Sequence, residues 1–349
     1  MKPIVIEDMQ KIAAAKLPWE AFKGKTVLIA GANGFLPGYM LDTLLYLNDN
    51  ALKEHPSRVI ALVRNRDKAM QRFAVHKERQ DFRLMVQDVC DPVAVEGNID
   101  YIIHAASQAS PKYYGKDPVG TLNSNLLGTN NLLRLANSKK VKGFLFFSSG
   151  EVYGEVKEEQ IPTKEENYGY IDPMNVRSCY SEGKRAAETM CVSWFRQYGI
   201  PVKVVRPFHT YGPGMALDDG RVFADFVSDI VNGRNIVLNS DGTATRAFCY
   251  LADATTGFFT VLLKGQNGHA YNVGNDRCEI SILDLAKLLL DMFPGRKLEV
   301  IQNGGYSAVG YIKSNITRAC PDISKVRKLG WEPSTSIAEG FKRTVMSFL

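Results

Sequence analysis

No apolar run in the 349 residues approaches the roughly 18 needed to cross a bilayer as a helix. The N-terminal stretch MKPIVIEDMQKIAAAKLPWEAF carries charges throughout and has no long apolar segment, which is not the pattern of a secretory leader. Six cysteines (Cys90, Cys179, Cys191, Cys249, Cys278 and Cys320) form no C-x-x-C pair, so neither a zinc site nor a disulfide framework is expected. Cysteines spaced singly in a chain of this size suit a reducing compartment, and a cytoplasmic location is expected. The five histidines show no pairing at helical spacing, and no metal is expected. Lys and Arg are scattered, without a basic run, so the net charge of +6 gives little footprint for nucleic acid. A mild basic excess does suit a small anionic ligand such as a nucleotide. Repeats and low-complexity tracts are also lacking.

What is present is an ordinary globular composition, 45% hydrophobic and 23% charged, with enough apolar side chains for a sizeable core. Short β-rich runs recur: TVLIA (26–30), RVIALV (58–63), FRLMVQD (82–88), DYIIHAA (100–106), GFLFFSS (143–149) and VKVVRPF (202–208). Helical spacing separates them, in PGYMLDTLLYLND, TLNSNLLGTNNLLRLANSKK and YSEGKRAAETMCVSWFRQYG. The last of these meets Gly199 and Pro201, a common helix stop. Alternating strand and helix predicts an α/β chain with a Rossmann-type doubly wound parallel sheet. Strands covered on both faces read as continuous apolar runs, as these do. After about residue 210 the pattern loosens into turns, the pieces IVLN, AYNV and KLEVI, and short helices, which predicts a smaller C-terminal α/β lobe that binds substrate. The expected division is a helical extension over 1–23, a dinucleotide-binding domain over 24–208 with a segment near 245–265 returning to it, and the lobe over 209–349.

GANGFLPG (31–38) stands at the first strand–helix junction. Glycine there permits a tight turn and lets backbone N–H groups approach a pyrophosphate, and the helix N-terminus adds partial positive charge. The second strand, where NAD binders place an acidic residue for the ribose, runs into Arg64, Asn65 and Arg66. Two guanidiniums suit a 2′-phosphate, so NADP is favoured over NAD. Asp88, after the third strand, is a candidate for the adenine edge.

Tyr180 and Lys184 are four apart and share a helix face. A phenol with a pKa near 10 is too weak a base at neutral pH. A nearby ammonium and a positive nicotinamide ring both favour phenolate, which can take a proton from a sugar hydroxyl as hydride leaves. Ser149, at the end of a strand, is placed to share that hydroxyl's hydrogen bonds, and Glu151 follows in SSGEVYGE.

With the segments HAASQASPKYYGKDPVGTLNSN, GYIDPMNVRSCYSEGKRAAETM, RQYGIPVKVVRPFHTYGPGM, DDGRVFADF, TRAFCYLADATTG and YNVGN, the chain resembles the extended short-chain dehydrogenases/reductases of the nucleotide-sugar epimerase/dehydratase type from about residue 24 onward. Among these it is most similar to the UDP-glucuronate decarboxylases. The resemblance implies Tyr180 as base, Lys184 as its partner on the cofactor ribose, Ser149 on the sugar hydroxyl and Glu151 as a second proton-handling or substrate-binding group. It implies a tightly held NAD or NADP lined by Gly31, Asn33, Gly34, Phe35, Leu36, Arg64, Asn65, Asp88, Val89, Ala105, Ala106, Ser107, Asn125 and Pro207, together with Tyr180 and Lys184. For a UDP-type sugar it implies Ser110, Arg177, His209, Arg221, Val222 and Arg246, with Arg246 on the diphosphate, Arg177 in the sugar pocket, and Arg221 and Val222, together with Asp219, near the base. It also implies a homodimer through helices at about 120–138 and 179–198, with no membrane or nucleic-acid partner.

Several positions depart from the family pattern. Pro37 stands at the third glycine of the phosphate turn, so that turn is expected to close differently or shift by one residue. Arg64 replaces the acidic ribose ligand, His209 a common Asn, and Gly150 the Ser of decarboxylases or the Asp of 4,6-dehydratases. Oxidation at C4 activates whatever stands beta to the ketone. Glu151 favours decarboxylation or dehydration over 4-epimerisation, and the missing acid at 150 disfavours dehydration. Decarboxylation at C6 is therefore the expected reaction. The 4,6-dehydratase and 4-epimerase readings stay open, as does a non-catalytic NAD(P)-binding sensor or scaffold, which would have no use for Ser149, Tyr180 and Lys184 together.

Overall fold

The computed structural model describes residues 2–302 and 316–349. Its centre is a seven-stranded parallel sheet. In chain order the first six strands are β1 (Thr26–Ala30), β2 (Arg58–Val63), β3 (Phe82–Val86), β4 (Tyr101–His104), β5 (Gly143–Phe147) and β6 (Val202–Pro207). In space the order is β3-β2-β1-β4-β5-β6, and His269–Val273 completes the β6 edge. The order reverses between β1 and β4, which opens a crevice at the carboxyl ends of those strands.

The two-residue period of a strand sends neighbours to opposite faces. Val27 and Ile29 of β1 join one core cluster, and Leu28 and Ala30 join the other. The first cluster lies under α1 (Pro3–Ala13) and α2 (Phe35–Asp49), the second under α4 (Pro118–Lys139) and α5 (Ser178–Tyr198), and the short α3 (Arg66–Arg72) follows β2. AYNV, expected in the C-terminal lobe, instead pairs with β6, with Tyr271 opposite Val205. Its Tyr271 and Val273 are buried at the sheet edge.

Pro37 neither breaks nor shifts α2. Gly34 is the N-cap, and Pro37 sits at the third helical position, where an N–H has no partner within the helix. The first helical bond is donated by Gly38 N to Gly34 O at 2.9 Å. Gly38 supplies the close approach expected of the third glycine: a Cβ there would lie 3.2 Å from Ala32 O.

The N-terminal extension is tied down. Asp8 of α1 is buried and accepts hydrogen bonds from Tyr39 (2.6 Å), Tyr250 (2.7 Å) and Arg343 (2.8 Å). Lys11 pairs with the buried Asp253 at 2.9 Å. The helix thereby joins α2 to the start of α7 (Leu251–Lys264) and to the last helix, Ile337–Met346. Beyond β6 follow helix α6 (Val222–Asn232) and a three-stranded sheet centred on Thr245–Ala247, and the approach to α6 meets the loop after β4 where Lys112 pairs with Asp218.

Candidate active site

β5 ends where Ser148 N donates to Val205 O at 2.8 Å. Ser149 is extended, and its hydroxyl caps the short 3₁₀ turn Gly150–Tyr153 by accepting from Glu151 N at 3.2 Å. The strand end and the turn thus set Ser149 and Glu151 side by side. α5 brings up Tyr180 in its first turn and Lys184 one turn later.

Lys184 is 2% exposed and donates to Phe147 O at 2.6 Å, with its ammonium 4.8 Å from the Phe146 ring centroid and 5.8 Å from that of Tyr180. Burial lowers its pKa to about 7, and the nearby Glu188 carboxylate works against that shift. Tyr180 is buried, and its phenol is pushed up to about 12, first by burial and then by the charge of Glu151; a side-chain hydrogen bond with Ser149 pulls the other way. Lys184 was expected to favour phenolate, yet in the chain alone burial is the larger effect. Glu151 has Arg177 Nη2 at 3.8 Å and Ser181 Oγ at 3.5 Å. Gly150 leaves its turn close to Phe208, and a Cβ there would lie 3.1 Å from the ring.

Tyr114 is a residue the sequence did not single out. It is fully buried and stacks on Tyr180, with centroids 5.1 Å apart and planes 17° from parallel. The Arg177 guanidinium stands 5.7 Å from its centroid. Its only signal in the sequence is its place in SPKYYG, close after Ser110.

The dinucleotide candidates gather along the crevice. Gly31 has φ +78, and a Cβ on it would lie 2.7 Å from Ala106 Cα, so the turn rests directly on the backbone that follows β4. Ala105 and Ala106 line that edge, and Ser107 Oγ is buried without a partner among the described residues. Asn125 of α4 donates to Thr121 O at 2.9 Å and leaves its Oδ1 without a described partner. Asn33, Gly34, Phe35 and Leu36 form the turn and the start of α2, whose first N–H groups have no acceptor inside the helix. A cradle that a Cβ would fill, beside unpartnered buried polar atoms, fits a dinucleotide. Arg64 is 64% exposed in its side chain and stands 3.7 Å from Asp88. Asn65 caps α3 by accepting from Lys68 N at 2.9 Å, Asp88 accepts from Cys90 N, and Val89 is buried against Gly128. Pro207 is the last residue of β6.

The substrate candidates come from both walls. Ser110 donates to Asp219 O, Asp219 pairs with Arg221, and Lys112 pairs with Asp218 at 3.0 Å. Arg221 is the N-cap of α6 and Val222 its first residue. His209 keeps Nδ1 buried and without a described partner, and burial together with the charges of Arg246 and Arg221 holds its imidazole neutral. Arg246 donates to Thr245 O (2.7 Å) and Ile316 O (2.8 Å).

Comparison with known proteins bears on the fold and the family. Residues 27–274 match the model of the NAD dependent epimerase/dehydratase family. UDP-glucuronic acid decarboxylase 3 of Arabidopsis thaliana is 33% identical over 316 residues, covering 90% of this chain and 86% of the relative. UDP-glucuronic acid decarboxylase 1 of Xenopus tropicalis is 33% identical over 349 residues, covering 98% of this chain and 77% of the relative. Among solved structures, the UDP-glucose 4-epimerase of Thermotoga maritima with UDP-glucose superposes with a TM-score of 0.78 at 24% identity, over 93% of this chain and 98% of that one. The dTDP-glucose 4,6-dehydratase of Bacillus anthracis with NAD gives 0.75 at 19% identity, over 93% and 96%. The chain is thus an enzyme of the NAD-dependent epimerase/dehydratase family.

Proposed function

We propose that this enzyme decarboxylates UDP-glucuronate: it oxidises C4 of the sugar, releases C6 as carbon dioxide and reduces the ketone again. The observation that carries this reading is the meeting of Tyr180, Ser149, Lys184 and Glu151 at the ends of β5 and α5. NAD or NADP, which the turn at 31–36 and the backbone at 105–107 would hold, would supply a reversible hydride acceptor for C4 and positive charge beside Tyr180. Tyr180 removes the C4 hydroxyl proton, and Ser149 holds that hydroxyl in line. Lys184 stabilises the phenolate and the nearby ribose. The ketone at C4 stands beta to the C6 carboxylate, so the C5–C6 bond breaks and its electron pair enters an enolate over C4 and C5. Tyr180 and Ser149 hold the enolate oxygen, Glu151 passes a proton drawn from solvent to C5, and Tyr180 returns its own proton to the C4 oxygen as that carbon is reduced. Gly150 offers no acid for loss of a C6 hydroxyl, which favours carbon dioxide as the leaving group.

Arg246 supplies the positive charge for a diphosphate, with Arg177, Ser110 and His209 around the sugar and Arg221 and Val222 near the base. Arg64, with Arg66 and no carboxylate at the end of β2, favours NADP over NAD. The lobe that begins at residue 209 binds the sugar nucleotide, the segments near 245–265 and at 269–273 return to the dinucleotide domain of 24–208, and the enzyme works in the cytoplasm. The outer faces of α4 and α5, with Leu127 48% and Val192 38% exposed, form the homodimer contact.

The test is a product assay on purified enzyme with UDP-glucuronate and with UDP- and dTDP-hexoses. Carbon dioxide and a UDP-pentose from the first substrate support the reading. A 4-keto chromophore from a hexose, or a 4-epimer with no gas release, refutes it.

A further inference from the structure

Arg206 of β6 is 1% exposed and takes no part in the chemistry described above. A guanidinium has five N–H bonds, and here all five are used. Nε and Nη2 form a fork on Glu188 at 2.8 and 2.6 Å. Nη1 donates to Tyr153 Oη and to Glu165 O, both at 2.8 Å, and Nη2 also donates to Tyr168 Oη at 2.6 Å. The group lies between two rings, 4.9 Å from the Tyr153 centroid and 5.2 Å from that of Tyr168. Tyr153 in turn donates to Asn272 Oδ1 on the strand beside β6.

A buried ion pair is a poor means of gaining stability, because desolvation offsets the attraction and apolar residues of similar size often do as well. The connections are more telling. Glu188 lies one turn beyond Lys184 on α5, and Tyr153 ends the turn that begins at Gly150 and carries Glu151. Arg185, next to Lys184, reinforces the link by donating to Val152 O at 2.6 Å and Gly169 O at 2.9 Å. Glu188 also counters the burial of the Lys184 ammonium.

We propose that Arg206, paired with Glu188 and Tyr153, is a positioning residue for the reaction: it fixes the Glu151 turn against the helix that carries Tyr180 and Lys184. The proposal rests on the proton-handling role given to Glu151. A displacement of about 1 Å at a reacting group is enough to cost about a hundredfold in rate.

The experiment is a mutant cycle on the full-length enzyme. Arg206→Met with Glu188→Leu removes both buried charges together and keeps the volume. The expected result is a kcat loss of about tenfold to a hundredfold, with cofactor affinity unchanged. Glu151→Gln should then cost far less in that background than in the wild type. If the double variant does not fold, Tyr153→Phe, which removes only the bridging hydroxyl, takes its place in the cycle with a smaller loss of the same pattern. Multiplicative, independent losses with a costly Glu151→Gln overturn the clamp alone, and so does an unchanged kcat when the clamp is removed. A Glu151→Gln variant as active as the wild type overturns both the clamp and the role of Glu151.

Discussion

Lys184 offers a test that needs no substrate. Its amine is almost fully buried, and its pKa falls from 10.5 in an ordinary setting to about 7. Below about pH 7 the group is charged in both folded and unfolded chains, and the folded state carries the full cost of burying the charge. Between about pH 7 and 10.5 the unfolded chain binds more protons, so stability rises with pH through this window. At about 1.4 kcal/mol per pKa unit, the whole window is worth on the order of 5 kcal/mol, and the part between about pH 7 and pH 9 roughly 2 kcal/mol. Lys184→Met lacks this titration. Urea unfolding of nucleotide-stripped wild type and variant, near pH 7 and near pH 9, measures the difference. The wild type should gain roughly 2 kcal/mol on the variant between the two. Parallel profiles would mean that the folded protein leaves the amine near its ordinary pKa, and the electrostatic account of the site would be wrong.

Tyr180→Phe should lower turnover about 10²- to 10⁴-fold while cofactor binding, followed by nucleotide fluorescence, stays intact; near-normal turnover would remove Tyr180 as the base. Arg64→Asp should shift the affinity ratio from NADP toward NAD by about tenfold or more, as expected for one charged hydrogen bond, and an unchanged ratio would leave the arginine as surface charge. Gly31→Ala should abolish dinucleotide binding, because a Cβ would sit 2.7 Å from Ala106 Cα at a φ of +78; tight binding by that variant would show that the turn is not the phosphate cradle.

The layered fold could be read from the sequence because its strands are apolar runs whose alternate residues fill two separate cores, as Val27 and Leu28 do. The Tyr180–Lys184 pair was legible for the same kind of reason: four residues make about one helical turn, whatever surrounds it. What escaped depends on partners distant in the chain. Asp8 meets Arg343, 335 residues away, and nothing near Asp8 in MKPIVIEDMQ announces it. Arg206 looked like part of an apolar strand, and Tyr114 like one of two tyrosines in a loop. AYNV has a strand's composition, but only its pairing with β6 shows which sheet it completes. Pro37 falls where a helix has no bond to lose, and the close approach of the third glycine moves one residue on to Gly38, one of the two outcomes the sequence allowed. The phenol of Tyr180 was expected to be lowered by Lys184, but burial depends on the whole surrounding core and cannot be summed from local spacing.

The most direct measurement follows the hydrogen on C4. UDP-glucuronate carrying deuterium at C4 should react more slowly than the unlabelled compound and give a UDP-pentose with deuterium still on C4, because the hydride leaves and returns within one active site. A product formed with no isotope effect, or one whose C4 hydrogen has come from solvent, would contradict the account.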